Sequence, residues 1–359
     1  ELEVSGEERV GERVYEQVFN IICSLYETDF EDQGLEMLKE QSDRIDDWRL
    51  LNYRYELGEK DQVITILLAR LMHDKPDVRV SAANALGNLG NSSETVVSAL
   101  FARFQDDNSD VRWRAAIALG NLGNSSETVV NALLAKLEDS DAGVRDRAAV
   151  ALGNSDNSSE TVVSALLAKL QDDESRVRSG AAYGLGKLGN SSETVVNALL
   201  AKLQDDESRV RSGAAIALCS LGNSSETVVN ALLAQLQDNN YSVRGWAAIA
   251  LGNLGNRSET VVNALLAKLQ DNNYRLRRWA AIALGKLGNS SETIVNGLLS
   301  RLQDEHRFVR RETTQALGKL GKTSNHVLPT VIQWIEQHQD SDYVGRGIDV
   351  LWYLVVGEE

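Results

Sequence analysis

The segment Asn-Ser-Ser-Glu-Thr returns every 33 residues along this chain of 359 residues. Six identical copies begin at Asn91, Asn124, Asn157, Asn190, Asn223 and Asn289, and an Asn-Arg-Ser-Glu-Thr copy begins at Asn256. A fixed period of this length is typical of stacked repeats, in which each unit buries the apolar face of its neighbour. We therefore expect one array of repeats, although the length alone would suggest two or three globular domains.

One unit, Asn190 to Gly222, predicts two helices. Asn190 and Glu193 have the spacing of a capping box, so we expect Asn190 to cap a first helix that runs to about Gln204. Asp and Glu residues then form a turn, and a second helix from Ser208 to Leu221 ends at Gly222 in a left-handed conformation. Neither helix carries enough apolar surface to be stable alone, so we expect stability to come from stacking, with recurrent Ala and Gly allowing close approach.

The second helix carries a recurrent string: Val-Arg, two variable positions, Ala-Ala, one variable position, then Ala-Leu-Gly, as in Val177–Gly186. The signatures of ankyrin and tetratricopeptide repeats are absent. The string resembles the short HEAT-like repeats of the phycobilisome-lyase class, which also supply the consensus of an artificial repeat scaffold. The resemblance covers most of residues 61–322 and implies an all-α, right-handed α-solenoid (superhelix) of 33-residue two-helix repeats, with second helices lining the concave side.

The pattern divides the chain into three segments. We expect residues 1–60 to be a helical N-terminal cap or joining segment, residues 61–322 the repeat array, and residues 323–359 a C-terminal capping repeat. Helices are predicted at Arg9 to Tyr26, Gln33 to Lys39 and Asp46 to Leu57. Because the chain opens on Glu1 instead of Met, we expect it to be a fragment of a longer protein.

Composition and motifs point away from catalysis. The net charge of −15 is spread along the array, which favours solubility and weighs against nucleic acid as a partner. Two cysteines without a pairing pattern and the lack of a long apolar run predict a cytoplasmic protein that does not enter membranes. Four scattered histidines lack metal-ligand spacing, and we read them as surface residues. We expect no catalytic residues, metal or cofactor.

An arginine follows the recurrent valine in unit after unit, and we expect it to bind turn carboxylates as a structural ladder. The positions that differ between units carry the functional information, because the fold leaves them free. They cluster on one face of the second helix, which we expect to be the concave side. The partner-binding residues that we predict there are Trp113, Arg114, Tyr183, Tyr241, Trp246, Tyr274, Arg275, Arg278, Trp279, Phe308 and Arg311.

These positions favour a non-enzymatic scaffold, adaptor or sensor that binds a protein or peptide, one with an acidic surface because arginine dominates the C-terminal half of the face. Trp246 and Trp279 occupy the same repeat position and could instead pack between units. Asp146, Arg147, Arg176, Arg209 and Arg307 share the face.

By resemblance, the chain could be the sensor part of a bacterial nucleotide-binding signalling protein. The alternatives are a bilin lyase or chaperone and a DNA-binding HEAT protein, and the oligomeric state stays open.

One unit departs from the pattern. Gly153-Asn154-Ser155-Asp156 replaces the Gly-Asn-Leu-Gly found at Gly87, so an apolar residue and a helix-ending glycine are lost together. We predict a weaker seam, meaning weaker packing between the third and fourth repeats, or an altered curvature at this position.

Overall fold

The computed structural model describes residues 48–56, 58–123, 126–155 and 157–356. Those residues form nineteen α-helices and one short 3₁₀ helix, with no β-strand among them. They belong to two compact units, Glu1–Asn124 and Ser125–Glu359. The helices predicted at Arg9 to Tyr26 and at Gln33 to Lys39 lie outside the described residues.

The first unit contains five α-helices in its described part. They are α1 (Trp48–Glu56), α2 (Lys60–Arg70), α3 (Pro76–Leu89), α4 (Glu94–Ala102) and α5 (Ser109–Asn121), with the 3₁₀ helix Arg103–Gln105 after α4. The predicted helix at Asp46 to Leu57 is therefore present over Trp48–Glu56. From α2 onward, a first helix alternates with a second helix, as the repeat predicts.

The second unit continues the alternation. Its first helices are α6 (Glu127–Lys136), α8 (Glu160–Lys169), α10 (Glu193–Lys202), α12 (Glu226–Gln235), α14 (Glu259–Lys268), α16 (Glu292–Leu299) and α18 (Val327–Gln337). Its second helices are α7 (Ala142–Asn154), α9 (Ser175–Leu188), α11 (Ser208–Ser220), α13 (Tyr241–Leu254), α15 (Tyr274–Leu287), α17 (Arg307–Gly321) and α19 (Val344–Val355).

The recurrent Asn-Ser-Ser-Glu segment or its Asn-Arg-Ser-Glu copy precedes the first helices from α4 to α16, but its residues have roles different from those predicted. The residue that caps α10 is Ser192, and Glu193 is the first helical residue. Asn190 lies two positions earlier, where its side-chain oxygen accepts a hydrogen bond of 3.0 Å from the Ser192 amide. The prediction that Asn190 is the cap in a capping box is wrong, because the asparagine instead closes an Asx turn that sets the entry angle of the helix.

Second helices pack backbone against backbone. A methyl group placed on Gly186 of α9 would stand 2.6 Å from the Cα of Ala217 in α11, well inside van der Waals contact. Gly252 and Ala283 repeat the contact between α13 and α15. The prediction that small residues allow close approach is confirmed, and the buried valine, leucine and alanine side chains of both helix layers form one continuous core in each unit.

The arginine after the recurrent valine, whose place Leu276 takes before Arg277, joins neighbouring repeats. Arg277 donates to both carboxylate oxygens of Asp304, at 2.7 and 2.9 Å, and its other amino group donates to the carbonyls of Asp271 and Asn272. Bidentate bonds of the same kind join Arg79 to Asp106, Arg145 to Asp172, Arg178 to Asp205 and Arg211 to Asp238. The predicted structural ladder is confirmed at these five positions.

The irregular unit keeps its helix packing. Ser155 ends α7, is buried, and donates from its hydroxyl to the carbonyl of Leu152 at 2.8 Å. A methyl group on Gly153 would stand 2.5 Å from the Cα of Gly184, so two glycines meet where other seams pair glycine with alanine. The weaker seam and the altered curvature stay predictions.

The last helix pair has exposed apolar side chains. Ile348, Trp352, Val355 and Val356 are more than half exposed, and Trp352 reaches 60%. The capping role of residues 323–359 stays a prediction. Among the described helices, none has the length and apolar character needed to cross a bilayer.

Candidate functional site

The structure brings most of the predicted binding residues together on α13, α15 and α17. We call this the aromatic-arginine surface and define it by Tyr241, Trp246, Tyr274, Arg275, Arg278, Trp279, His306, Arg307, Phe308, Arg311 and Glu312. Each second helix contributes its first two turns, since the variable positions flank the recurrent valine.

The two tryptophans at the same repeat position differ. Trp279 is half-buried and lies on Gly245, where a methyl group would overlap its indole ring. It also stacks parallel to Tyr241, with ring centroids 6.4 Å apart. Trp246 is 41% exposed. Trp279 is therefore a packing residue with one face toward the surface, whereas Trp246 offers its ring to solvent.

Arg275 is exposed and has two tyrosine partners. Its guanidinium donates to the Tyr241 hydroxyl at 2.7 Å and to the Tyr274 hydroxyl at 3.3 Å, and it lies over both rings. The hydrogen bond to Tyr274 and the nearby Tyr241 hydroxyl raise the pKa of Arg275, so this group stays protonated. Neutral partners hold the guanidinium in place without cancelling its charge, which leaves it available to an anion.

Arg278 and Arg311 share one carboxylate. Arg278 donates to Glu312 at 2.9 and 3.1 Å, and Arg311 donates to the same oxygen at 2.9 Å. Glu312 is buried, although the sequence analysis did not single it out. Two cations on one anion leave a local positive charge, so these arginines have an intrachain role beside any contact with a partner.

His306 corrects the prediction that the histidines are ordinary surface residues. It is half-buried and stacks on Tyr274 with ring centroids 3.5 Å apart, and it also contacts Phe308. Its position before α17 is the same as that of Asn273 before α15, and this is the signal that places it beside the variable residues.

Three predicted residues lie elsewhere. Trp113 and Arg114 belong to the first unit, where Arg114 covers the Trp113 ring at 4.2 Å and donates to Asn84. Tyr183 is half-buried on α9, beside Lys187, and lines a separate cavity with Asp146.

Another cavity lies away from this surface. It has a volume of about 900 Å³ between the first helices α16 and α18, and His326 and His338 lie at its two ends. The His338 ring stacks on Trp334 and hydrogen-bonds its carbonyl, and His326 contacts Ser324. In the part of the chain that the structure describes, no three His, Cys, Asp or Glu side chains lie close enough to hold a metal ion.

The alternating helices, the close contacts of the second helices and the arginine ladder define an α-solenoid of two-helix repeats. The profile of HEAT repeats matches this chain in overlapping segments, at residues 64–153, 130–219, 196–285, 229–318 and 262–351. The chain belongs to the HEAT-repeat family. No curated protein matches it in sequence.

Two solved structures show the same fold. The chain is similar to YibA of Escherichia coli, with 22% identity and a TM-score of 0.54 over 78% of this chain and 97% of that one. It is similar to importin beta with 15% identity and a TM-score of 0.54, over 98% of this chain and 54% of importin beta. An engineered protein aligns over 94% of this chain and 98% of its own, at 19% identity and a TM-score of 0.42.

Proposed function

We propose that this chain is a non-enzymatic binding module that holds an acidic segment of a partner polypeptide on the aromatic-arginine surface. The observation that carries the proposal is the exposed pair of Tyr241 and Arg275, joined by a hydrogen bond of 2.7 Å, with Trp279 stacked on Tyr241 and the exposed Trp246 on the same helix as Tyr241. Rigid aromatic rings give large contact area at low entropic cost, and arginine supplies directed hydrogen bonds.

Local charge selects an acidic partner. The surface has one carboxylate, that of Glu312, and four guanidinium groups. The guanidinium groups are those of Arg275, Arg278, Arg307 and Arg311. The net charge of the whole chain is −15, so this surface is positive on an otherwise acidic protein. Such a contrast steers an acidic segment toward the surface and repels it elsewhere.

The concave position of this surface is part of the proposal. Second helices meet at glycine-to-alanine backbone contacts, and the helix layer with the closer packing is the inner layer of a curved stack. A partner on that side would contact several repeats at once. The scaffold, adaptor and sensor roles, a cytoplasmic location and a bacterial origin all stay within the proposal. The bilin-lyase and DNA-binding alternatives draw no particular support from the described residues.

The test is selection of random peptides by the immobilised chain, followed by affinity measurement with fluorescent copies of the selected peptides. We expect enrichment of Asp and Glu, and at least a tenfold weaker affinity for Trp246→Ala and for Arg275→Ala, because exposed Trp and Arg anchors carry most of the energy at such surfaces. Trp352→Ala is the matched control, since Trp352 is exposed outside the surface. Equal loss in the control, or no loss in either surface variant, contradicts the proposal.

A further inference from the structure

A second charged site lies on α7, α9 and α11, in the repeats that precede the aromatic-arginine surface. It is an open cavity of about 470 Å³. Among the side chains that line it are Asp146 and Arg147 of α7, Arg176 and Tyr183 of α9, and Arg209 of α11. Arg176 and Arg209 occupy the same position in successive repeats, one residue before the recurrent valine.

Two glycines make room for the charged groups. A methyl group on Gly180 would overlap the carboxylate of Asp146, so any larger residue at this position would displace that carboxylate. A methyl group on Gly143 would stand 2.9 Å from a carboxylate oxygen of Asp141 and 3.5 Å from an amino group of Arg176, so both groups lie close to the backbone of α7. The position of Asp146 therefore depends on Gly180 in the neighbouring helix.

The site has more positive than negative charge. Asp146 is 7% exposed, and its carboxylate lies 3.6 Å from the Nε of Arg147. Burial raises the pKa of Asp146, against the attraction of Arg147, Arg176 and Arg209. Among the residues that the structure describes, no carboxylate is within ion-pair distance of Arg176 or Arg209, and both are exposed. The cavity lining therefore has one carboxylate and three guanidinium groups, and the Asp141 carboxylate lies beside Arg176 at the start of α7 without an ion pair to it.

We propose that Arg176 and Arg209 form a site for an oxyanion side chain, a carboxylate or a phosphoryl group, of the polypeptide that the chain binds. This inference rests on the proposed function. Planar guanidinium groups match the oxygens of both anions, and the half-buried ring of Tyr183 gives the site an apolar wall. The excess of guanidinium groups over carboxylates in the cavity lining favours a doubly charged phosphoryl group over a singly charged carboxylate.

Inorganic phosphate is the first probe, because it tests the site without any peptide. We expect the Nε–H NMR signals of Arg176 and Arg209 to shift with a saturable dependence on phosphate at constant ionic strength, and not with chloride. Arg176→Ala combined with Arg209→Ala should weaken phosphate binding at least tenfold, whereas Arg346→Ala, on exposed α19, should not change it. Arg176→Lys combined with Arg209→Lys keeps the charge and the fold but loses the planar guanidinium groups that donate paired hydrogen bonds. This variant should therefore also bind phosphate more weakly.

Two peptides of one sequence, with glutamate or phosphoserine at the same position, identify the source of the oxyanion. Both should bind more weakly to the double alanine variant, and the phosphoserine form should lose more. Asp146→Asn should strengthen the binding of both peptides, because it removes the negative charge of the carboxylate that lines the cavity. If Trp246→Ala loses peptide binding but still binds phosphate, the result tests the aromatic-arginine surface and leaves the oxyanion site unaffected. Phosphate shifts that match those of chloride, or phosphate binding that survives the double alanine substitution, overturn this site.

Discussion

The pair of Arg277 and Asp304 is the most buried rung of the arginine ladder, with side chains 7% and 2% exposed. Replacing Asp304 with alanine removes two hydrogen bonds to Arg277 and one from the His306 amide. Breaking a buried pair by removing one partner costs about 3–5 kcal/mol, because the other charge stays buried. Arg277 keeps bonds to two backbone carbonyls and to exposed Glu305, so we expect the lower end, about 3 kcal/mol.

The matched variant is Asp172→Ala, whose partner Arg145 makes the same bonds in a more exposed setting, with side chains 8% and 15% exposed. We expect it to cost about 2 kcal/mol, since solvent screens the remaining charge better. Urea unfolding followed by circular dichroism measures both variants. Hydrogen exchange over α15 and α17 locates the effect, because repeat arrays need not unfold in one step.

Removing both charges gives a further comparison. Arg277→Met combined with Asp304→Ala should be less destabilised than Asp304→Ala alone, because no uncompensated charge stays buried. If Asp304→Ala lowered the free energy of unfolding by less than about 1 kcal/mol, the pair would be no stronger than a surface ion pair. That result would refute the claim that burial of Arg277 makes the loss of Asp304 costly. Equal costs for Asp304→Ala and Asp172→Ala would show that burial of the rung does not set its strength.

Further predictions concern pH and packing. Burial opposes the ionisation of Asp205, but hydrogen bonds from Arg178 and the Glu207 amide outweigh it and lower its pKa to about 2. Its stabilisation is complete above the unfolded pKa of about 3.9 and is lost as pH falls toward 2, so acid unfolding should be less steep in Asp205→Asn. Gly245→Ala should lower the melting temperature, because the added methyl group displaces the Trp279 ring. Adding Trp279→Leu to this variant should restore part of the melting temperature, which the same melting curves measure. Ser155→Leu should slow hydrogen exchange at the end of α7 if the irregular seam is the weaker one, and unchanged exchange there would contradict that prediction.

Much of the fold was predictable because its signals are local and repeated. Helical periodicity, the turn acids and the glycine after most second helices depend on residues a few positions apart, and many copies in one chain separate constant from variable positions. The arginine ladder followed from the same comparison. The cap of the first helix was misassigned by two residues, because Asn and Ser can both accept bonds from the amides that follow, and only the backbone conformation decides between them.

The sequence by itself determined that this chain is an array of paired helices, and it located the face on which the repeats differ. The tertiary structure decided what each variable residue does. Trp246 and Trp279 share a repeat position, yet Trp279 is half-buried because Gly245 of the preceding repeat leaves room for its ring. Arg278 meets Glu312 only because α15 lies beside α17. Such contacts join one repeat to the next, and no periodicity within a single unit encodes them.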